Sequence, residues 1–420
     1  MITNLAHAQE ALSIYYARSR QQLGDDSALN RMEPLLRAVG NPHERLRVMH
    51  VAGTSGKTST CYYIASLLHA SHKKVGLTVS PYIDSILERV QIDGRPITER
   101  DFCERLSSFL DLISAVSPQP GYFEVLVAFA LWHFDSAQVD YVVLETGIGG
   151  LFDSTNVIMR ADKVCVITDI GMDHMKVLGD SIPAIAAQKA GIIQQHNDVF
   201  MYEQGPDVMG AMHTRIDALR ARLHLVLQGE VVRESHLPLF QQRNWQLARS
   251  VCEFVAERDG FSVASSIDAN DIIVPGRMEI KRSKNGQTVV FDGAHNAQKM
   301  QAFVSSFQAR FPGEVADILV AFKDDKEYVK ALEYLRPITR HLYVTSTLDT
   351  RNSTARAYPV TSANTSEVYK AAVSLGFDAE IVEEPHRAIE QLLRDSEGIK
   401  VVTGSFYLLG IVRAEKGLYA

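Results

Sequence analysis

Cysteine is scarce in this 420-residue chain: Cys61, Cys103, Cys165 and Cys252 stand far apart and form no C-x-x-C pair. That spacing excludes a zinc knuckle, argues against a disulfide framework, and fits reduced thiols in a cytoplasmic protein. Long apolar runs are also missing. The longest, VLVAFALW from Val125 to Trp132, falls well short of the roughly 18 residues of a membrane span and fits a buried helix or strand. The opening MITNLAHAQEALSIYYARSRQQL has early polar and acidic groups where a secretory leader has a basic segment and an apolar run, so no signal peptide is expected. There is no excess of positive charge either, with 43 Lys and Arg against 50 Asp and Glu. That balance argues against broad nucleic-acid binding by charge, while a local basic pocket for an anionic ligand is still allowed.

What is present is an ordinary globular composition, 46% hydrophobic and 22% charged, on a chain long enough for two or three domains. Short runs rich in β-branched residues alternate with helical patterns, which predicts an α/β fold with a parallel sheet covered by helices. RVMHVAG reads as a strand running into a glycine loop and then into the helix STCYYIASLLHASH. KVGLTVS, YVVLETG and KVCVITDIG read as further strands, each ending near a polar or acidic residue: Ser80, Glu145, and the turn from Asp169 to His174. Open α/β sheets bind ligands at such strand ends. The pattern restarts after SIDANDIIVPGR with the strands TVVFDGAHN, DILVAF, HLYVTS and KVVTGS and the helix AQKMQAFVSSFQARF. A boundary near Asp271 to Pro275 gives domains of residues 1–272 and 273–420, with the cleft between them as the default ligand site.

HVAGTSGKTST, His50 to Thr60, departs from the strict phosphate-loop pattern by carrying Val51 where a glycine is required. Its strand, glycine turn and helix are nevertheless the parts of a phosphate cradle: backbone N–H groups and a helix N-terminus face the anion, and Lys57 reaches the outer phosphates. Thr58 or Ser59 supplies a hydroxyl to magnesium. Glu145 closes an apolar strand, where a carboxylate either holds magnesium or caps the next turn. TGIGG after it lacks dinucleotide-fingerprint spacing and supports only a tight turn close to a ligand. A lone histidine such as His174 is more often structural than a ligand. Lys189 has largely apolar neighbours in SIPAIAAQKAGII, which favours partial burial and a lowered pKa.

Over nearly its full length the chain resembles the folylpolyglutamate synthase and dihydrofolate synthase group of the Mur ligase superfamily. The matching segments include GNPHERLRVMHVAGTSGKTST, VGLTVSPYIDSILERVQIDG, LETGIGGLFDSTNV, ITDIGMDHMKVLGDSIPAIAAQKAGII, QQRNWQLA, PGRME, FDGAHN and VVTGSFYLLG, in family order. The superfamily loop, G-T-x-G-K-[ST], has no outer glycine, so Val51 is no defect.

The resemblance implies an N-terminal P-loop Mur-ligase-type ATPase domain with a parallel-rich sheet and a smaller C-terminal Rossmann-like domain that closes over ATP. It implies ATP phosphate binding by Gly53, Thr54, Ser55, Gly56, Lys57, Thr58 and Ser59, and magnesium coordination by Ser80, Glu145 and His174. Lys189 aligns with a lysine carbamylated by carbon dioxide, which converts a neutral amine into an anionic oxygen ligand for magnesium and gives it, with His295, a catalytic role. Asn244, Arg277 and Asp292 match nucleotide contacts, and His295 a group near the triphosphate or the incoming glutamate. For the pterin-bearing substrate the family uses the YFE segment, here Phe123 and Glu124, and the turn residues Asp153, Ser154 and Thr155. The implied reaction joins L-glutamate to a folate or dihydropteroate carboxylate through an acyl phosphate, releasing ADP and phosphate, in a cytoplasmic monomer with no nucleic-acid or membrane partner.

Ser55 stands where the family commonly has Asn, Thr58 where it has Gly, Tyr82 where it has His, and Leu151 where it has Arg. These departures bear on substrate identity, dihydropteroate or tetrahydrofolate, more than on the nucleotide machinery. The segment LGDDSALNRMEPLL lies where relatives carry a pterin-side loop. One rival is a Mur-type ligase for another acid, but such enzymes usually carry an extra domain before the loop, and only about 50 residues precede Gly53. The other is a nucleotide-binding regulator without ligase activity, which has no chemical need for Ser80, Glu145, His174 and Lys189 together.

Overall fold

Five consecutive buried residues, Val48–Ala52, form strand β1 near the middle of an eight-stranded sheet. The computed structural model describes residues 2–19, 27–227, 237–324, 327–348, 361–394 and 398–415. Seven more strands complete the sheet: β2 Val75–Thr78, β3 Gln91–Ile92, β4 Arg95–Pro96, β5 Tyr141–Glu145, β6 Val164–Ile167, β7 Asp198–Met201 and β8 Arg222–Leu225. Their order is β4-β3-β2-β5-β1-β6-β7-β8, parallel from β2 to β8, with β3 and β4 added antiparallel at one edge. Strands β1, β2, β5, β6 and β7 are buried at every position, the signature of a parallel sheet covered on both faces.

β1 pairs with β5 on one side and β6 on the other, so chain connections leave it in both directions, the arrangement that opens a crevice at the carboxyl ends of strands. The register sets Val51 beside Glu145 and Ala52 beside Ile167. The run VLVAFALW belongs to the helix Tyr122–Ser136, where every residue from Val125 to Leu131 is buried. Its length and its capping box, in which Glu124 accepts the Gly121 N–H at 2.6 Å, make it a helix.

The chain separates into two compact units, Met1–Pro81 with Ile86–Val232 and Gln241–Ile272, and Tyr82–Ser85 with Arg233–Phe240 and Ile273–Ala420. The break at Ile272 is accompanied by an exchange the sequence gives no sign of. The short segment Tyr82–Ser85 goes with the second unit, because Ile83 packs with Phe291, Phe406 and Leu409 and Asp84 takes a two-pronged bond from Arg413, at 3.0 and 2.9 Å.

The second unit has a six-stranded sheet of β9 Glu279–Arg282, β10 Thr288–Phe291, β11 Ala316–Val320, β12 Thr339–Val344, β13 Ala379–Ile381 and β14 Ile399–Thr403. The order is β13-β12-β11-β14-β10-β9, with only β9 antiparallel. Under it Lys400, fully buried, reaches Asp317 at 2.7 Å, and the same carboxylate takes two bonds from Arg340. Among the described residues no helix is long and apolar enough to cross a membrane.

Candidate active site

The loop after β1 turns sharply because two glycines occupy places no side chain fits. A Cβ on Gly53 would lie 1.9 Å from the Thr168 hydroxyl, and Gly56, at φ 91°, abuts the Asn244 amide, 2.4 Å from where its Cβ would be. The helix Lys57–Ala70 starts there, its first backbone bond running from Thr60 N to Gly56 O at 2.9 Å. The N–H groups ahead of that bond, on Gly56, Lys57, Thr58 and Ser59, are the ones oriented by a helix start toward an anion.

Thr54 and Ser55 do not contribute theirs. Both amides donate to the carbonyl of Asp169, at 2.8 and 3.1 Å, and the Thr54 hydroxyl bonds to Gly171. Within the run Gly53 to Ser59, expected to bind ATP phosphate, the amides of Thr54 and Ser55 are thus tied to the segment after β6, and those from Gly56 to Ser59 lie at the helix start. Of the two hydroxyls expected near magnesium, that of Ser59 is buried with no hydrogen-bond partner, whereas that of Thr58 donates to Glu145 Oε1 at 2.8 Å.

Glu145 is thus a hub. Its second oxygen accepts the Ser80 N–H at 3.0 Å, so Thr58, Ser80 and Glu145 come together at the carboxyl ends of β1, β2 and β5. Its charge is felt nearby: burial, reinforced by Glu145, pushes the Cys61 thiol well up, against the opposing effect of Lys57. Among the described residues no three His, Cys, Asp or Glu side chains cluster as a metal cage. One carboxylate with two hydroxyl-bearing neighbours suits magnesium, which keeps several waters and takes other ligands from substrate phosphates. His174 comes from the turn after β6. It heads the short helix Met175–Leu178 in a left-handed conformation, φ 48°, with its ring 3.9 Å from Asp173.

Lys189 lies in the last turn of the helix Ile182–Ala190, only 3% exposed, and its amine donates to the Gly53 carbonyl at 2.9 Å. Lys57 donates to that same carbonyl at 2.9 Å. Two lysines far apart in sequence thereby meet at the first residue of the loop.

A second cluster follows β5. The Asp153 carboxylate folds back into its own turn, accepting Ile148 N at 2.8 Å, Thr155 N at 2.9 Å and the Thr155 hydroxyl at 2.5 Å. Burial raises its pKa, and these hydrogen bonds oppose the rise. Phe123 lies against this turn so closely that a Cβ on Gly147 would sit 2.6 Å from its ring, while the Arg89 guanidinium stands 4.9 Å from the ring centre. Ser154 is buried. Glu124, expected as a substrate contact, caps its helix and also holds buried Arg31 through bonds of 2.9 and 2.6 Å. Arg31 belongs to the segment LGDDSALNRMEPLL, of which Leu23 to Asp26 lie outside the described residues.

In the second unit, buried Asp292 accepts the N–H groups of Met278 and Ala294, each at 2.9 Å, and burial raises its pKa to about 6, opposed first by Arg277. The Arg277 guanidinium stands 4.3 Å from the Phe406 ring centre. His295 Nδ1 lies 2.7 Å from the Gly293 carbonyl and Nε2 lies 3.1 Å from the Lys299 amine. A carbonyl only accepts, so Nδ1 carries the proton and Nε2 accepts from Lys299.

Several supporting groups carry no sequence signal. Arg243, one residue before Asn244, bonds to Asp169 at 2.9 and 3.3 Å and lies 4.1 Å over the Tyr202 ring. It therefore braces the residue whose carbonyl holds Thr54 and Ser55. Arg89 and Lys299 are likewise ordinary surface residue types in the sequence.

Residues 51–212 match the Mur ligase middle domain, and residues 276–406 match the Mur ligase glutamate ligase domain. The chain is 33% identical over 367 residues to the dihydrofolate synthase/folylpolyglutamate synthase of Mycobacterium tuberculosis, covering 76% of this chain and 74% of that one. It is 27% identical over 432 residues to the Bacillus subtilis protein described in the same words, covering 95% and 97%. Among solved structures, the Mycobacterium tuberculosis folylpolyglutamate synthase complexed with ADP superposes with a TM-score of 0.82 at 25% identity, covering 97% of each chain.

Proposed function

This chain belongs to the folylpolyglutamate synthase and dihydrofolate synthase family of Mur ligases, and on that premise we propose that it joins L-glutamate to the carboxylate of a folate or dihydropteroate at the expense of ATP. The observation that carries the reading is the meeting of Lys57, Lys189, Thr58, Ser80 and Glu145 around one glycine loop. That set is more than a phosphate cradle requires and matches a ligase that must bring several anions together.

In this reading the amides of Gly56, Lys57, Thr58 and Ser59 and the Lys57 amine hold the triphosphate. Glu145, with Thr58 and Ser80, is where magnesium would be held, and His174 and a carbamylated Lys189 are further candidate ligands. Bound there, magnesium would screen the phosphates from the reacting carboxylate. The acceptor carboxylate attacks the γ-phosphorus, ADP leaves, and an acyl phosphate forms. The glutamate amine then attacks the activated carbonyl, phosphate is expelled, and an amide remains. Asn244 beside Gly56 is assigned to the nucleotide, as are Arg277 and Asp292 of the second unit, and His295 to the incoming glutamate or the triphosphate. Phe123 is the stacking surface for the flat pterin. Asp153 and Thr155 shape its pocket from behind, since their polar groups are already bonded to each other and to the turn.

ADP release by the purified protein with glutamate, measured separately with dihydropteroate and with tetrahydrofolate, tests the proposal. Stimulation by either supports it and identifies the acceptor. Stimulation by neither, with stimulation by another carboxylic acid, overturns the folate assignment.

A further inference from the structure

His50 is fully buried in β1, a strand otherwise made of Val48, Met49, Val51 and Ala52. Its Nε2 lies 2.8 Å from the Thr155 hydroxyl oxygen. The single proton of that hydroxyl is directed to Asp153, so the Thr155 oxygen can only accept from the ring, and His50 must carry its proton on Nε2. Nδ1 is then a bare acceptor, and it is buried with no hydrogen-bond partner. Burial, with Lys163 adding to it, lowers the His50 pKa well below its ordinary value, in keeping with a neutral ring.

A leucine would fill this place between apolar strands without an unsatisfied nitrogen, which is costly to bury. What the imidazole contributes is one directed bond. That bond starts a chain: His50 Nε2–H to Thr155, Thr155 O–H to Asp153 Oδ1, and Asp153 Oδ2 to the Ile148 N–H. Ile148 follows Gly147, against which Phe123 is pressed. The chain therefore anchors the turn after β5 to the neighbouring strand, and the ring surface assigned to the pterin rests on that turn. The phosphate loop has a separate support in the Asp169 carbonyl.

We propose that His50 is a positioning residue of the acceptor pocket, acting through Thr155 and Asp153 on the turn that backs Phe123, so that it sets affinity for the pterin-bearing substrate and leaves nucleotide affinity alone. The inference rests on the assignment of Phe123 to the acceptor made above.

The test compares His50→Leu with His50→Gln, whose side-chain amide can present an N–H near the position of Nε2, and Thr155→Val with Thr155→Ser, which keeps the hydroxyl. Dihydropteroate and tetrahydrofolate binding is followed by fluorescence quenching, and binding of a non-hydrolysable ATP analogue by calorimetry. His50→Leu and Thr155→Val are expected to weaken acceptor binding about tenfold or more, with ATP-analogue affinity within about twofold of wild type, and His50→Gln and Thr155→Ser to recover most of the loss. If His50→Leu gives no cooperative melt, the Thr155 pair decides. Acceptor binding unchanged in the variants, or acceptor and ATP-analogue binding weakened alike, overturns the proposal. A wild-type protein that binds the ATP analogue but neither pterin compound overturns the folate assignment, and this inference with it.

Discussion

The amines of Lys57 and Lys189 converge on one acceptor, the carbonyl oxygen of Gly53, each at 2.9 Å. Two ammonium groups on one carbonyl repel each other, and in a buried setting that repulsion is poorly screened. Drawing Lys57 to phosphate would separate the two amines. Replacing either amine by a methyl-terminated chain should separate the roles. Lys57→Met should reduce kcat/KM for ATP by about a hundredfold to a thousandfold, the usual effect of removing one preorganised donor to developing phosphate charge. Lys189→Ala should abolish a carbamate signal that wild-type protein shows by carbon-13 NMR in labelled bicarbonate, and lower kcat. Full activity of Lys189→Ala would remove the carbamate from the mechanism.

Glu145 lies where β1, β2 and β5 end, and its two oxygens bond Thr58 and Ser80. Glu145→Gln keeps an acceptor in place but removes the charge that would hold a divalent cation. The magnesium concentration for half-maximal ADP release should rise about tenfold or more, and chelation of magnesium should stop the wild-type reaction. An unchanged magnesium dependence would mean that Glu145 only caps the turn.

Much of the framework was legible in the sequence for a physical reason. Parallel strands that are largely buried carry apolar, β-branched runs, so β1, β2, β5, β6, β10, β11, the second half of β12 and β14 stand out, and the glycine loop marks the ligand edge. The two-residue strands β3 and β4, the buried four-residue strand β7, and β8, β9 and β13 were not legible. RLHL, EIKR and AEI are short edge strands with exposed or half-buried positions, and no periodicity survives in them. Within the site, residue types were legible but their division of labour was not. Whether Thr58 or Ser59 faces Glu145 depends on the rotation of a helix whose start is fixed by Gly56 and Asn244. That Glu124 holds Arg31, or that Asp153 serves its own turn, depends on contacts 93 residues apart in one case and on backbone curvature in the other.

The Arg31–Glu124 pair is buried on both sides, and Glu124 also caps its helix at Gly121. Removing Glu124 takes away a buried carboxylate that Arg31 is bonded to twice, so Glu124→Leu should destabilise the protein by up to about 3–5 kcal/mol in denaturant unfolding. Adding Arg31→Met to it should recover a large part of that loss. A single variant as stable as wild type would show that water reaches Arg31 in solution.

Arg243 grips Asp169 and lies over Tyr202, and Asp169 in turn holds the amides of Thr54 and Ser55. Arg243→Met removes a charge-assisted bond of roughly 1.5–3 kcal/mol without opening the core. The expected effect is an increase of about tenfold in KM for ATP, with KM for the acceptor nearly unchanged. Equal increases in both would place Arg243 in general stability instead.

Asp292 tests how its buried pocket behaves with pH. Its folded pKa of about 6 lies above the ordinary value of about 3.9 for an unfolded aspartate, because burial disfavours the charge more than Arg277 and the two N–H bonds favour it. A raised carboxyl pKa means that the folded state holds the proton longer. The residue's contribution to stability is therefore fully present below about pH 4 and is lost as pH rises through about 6. Asp292→Asn does not titrate, and all other carboxylates contribute equally to both proteins. The stability of wild type minus that of Asp292→Asn should consequently fall by about 2 kcal/mol between pH 4.5 and 7.5, measured by denaturant unfolding in matched buffers. A difference that stays flat would mean that Asp292 is already ionised in the fold at pH 4.5, and that Arg277 outweighs burial in setting its charge.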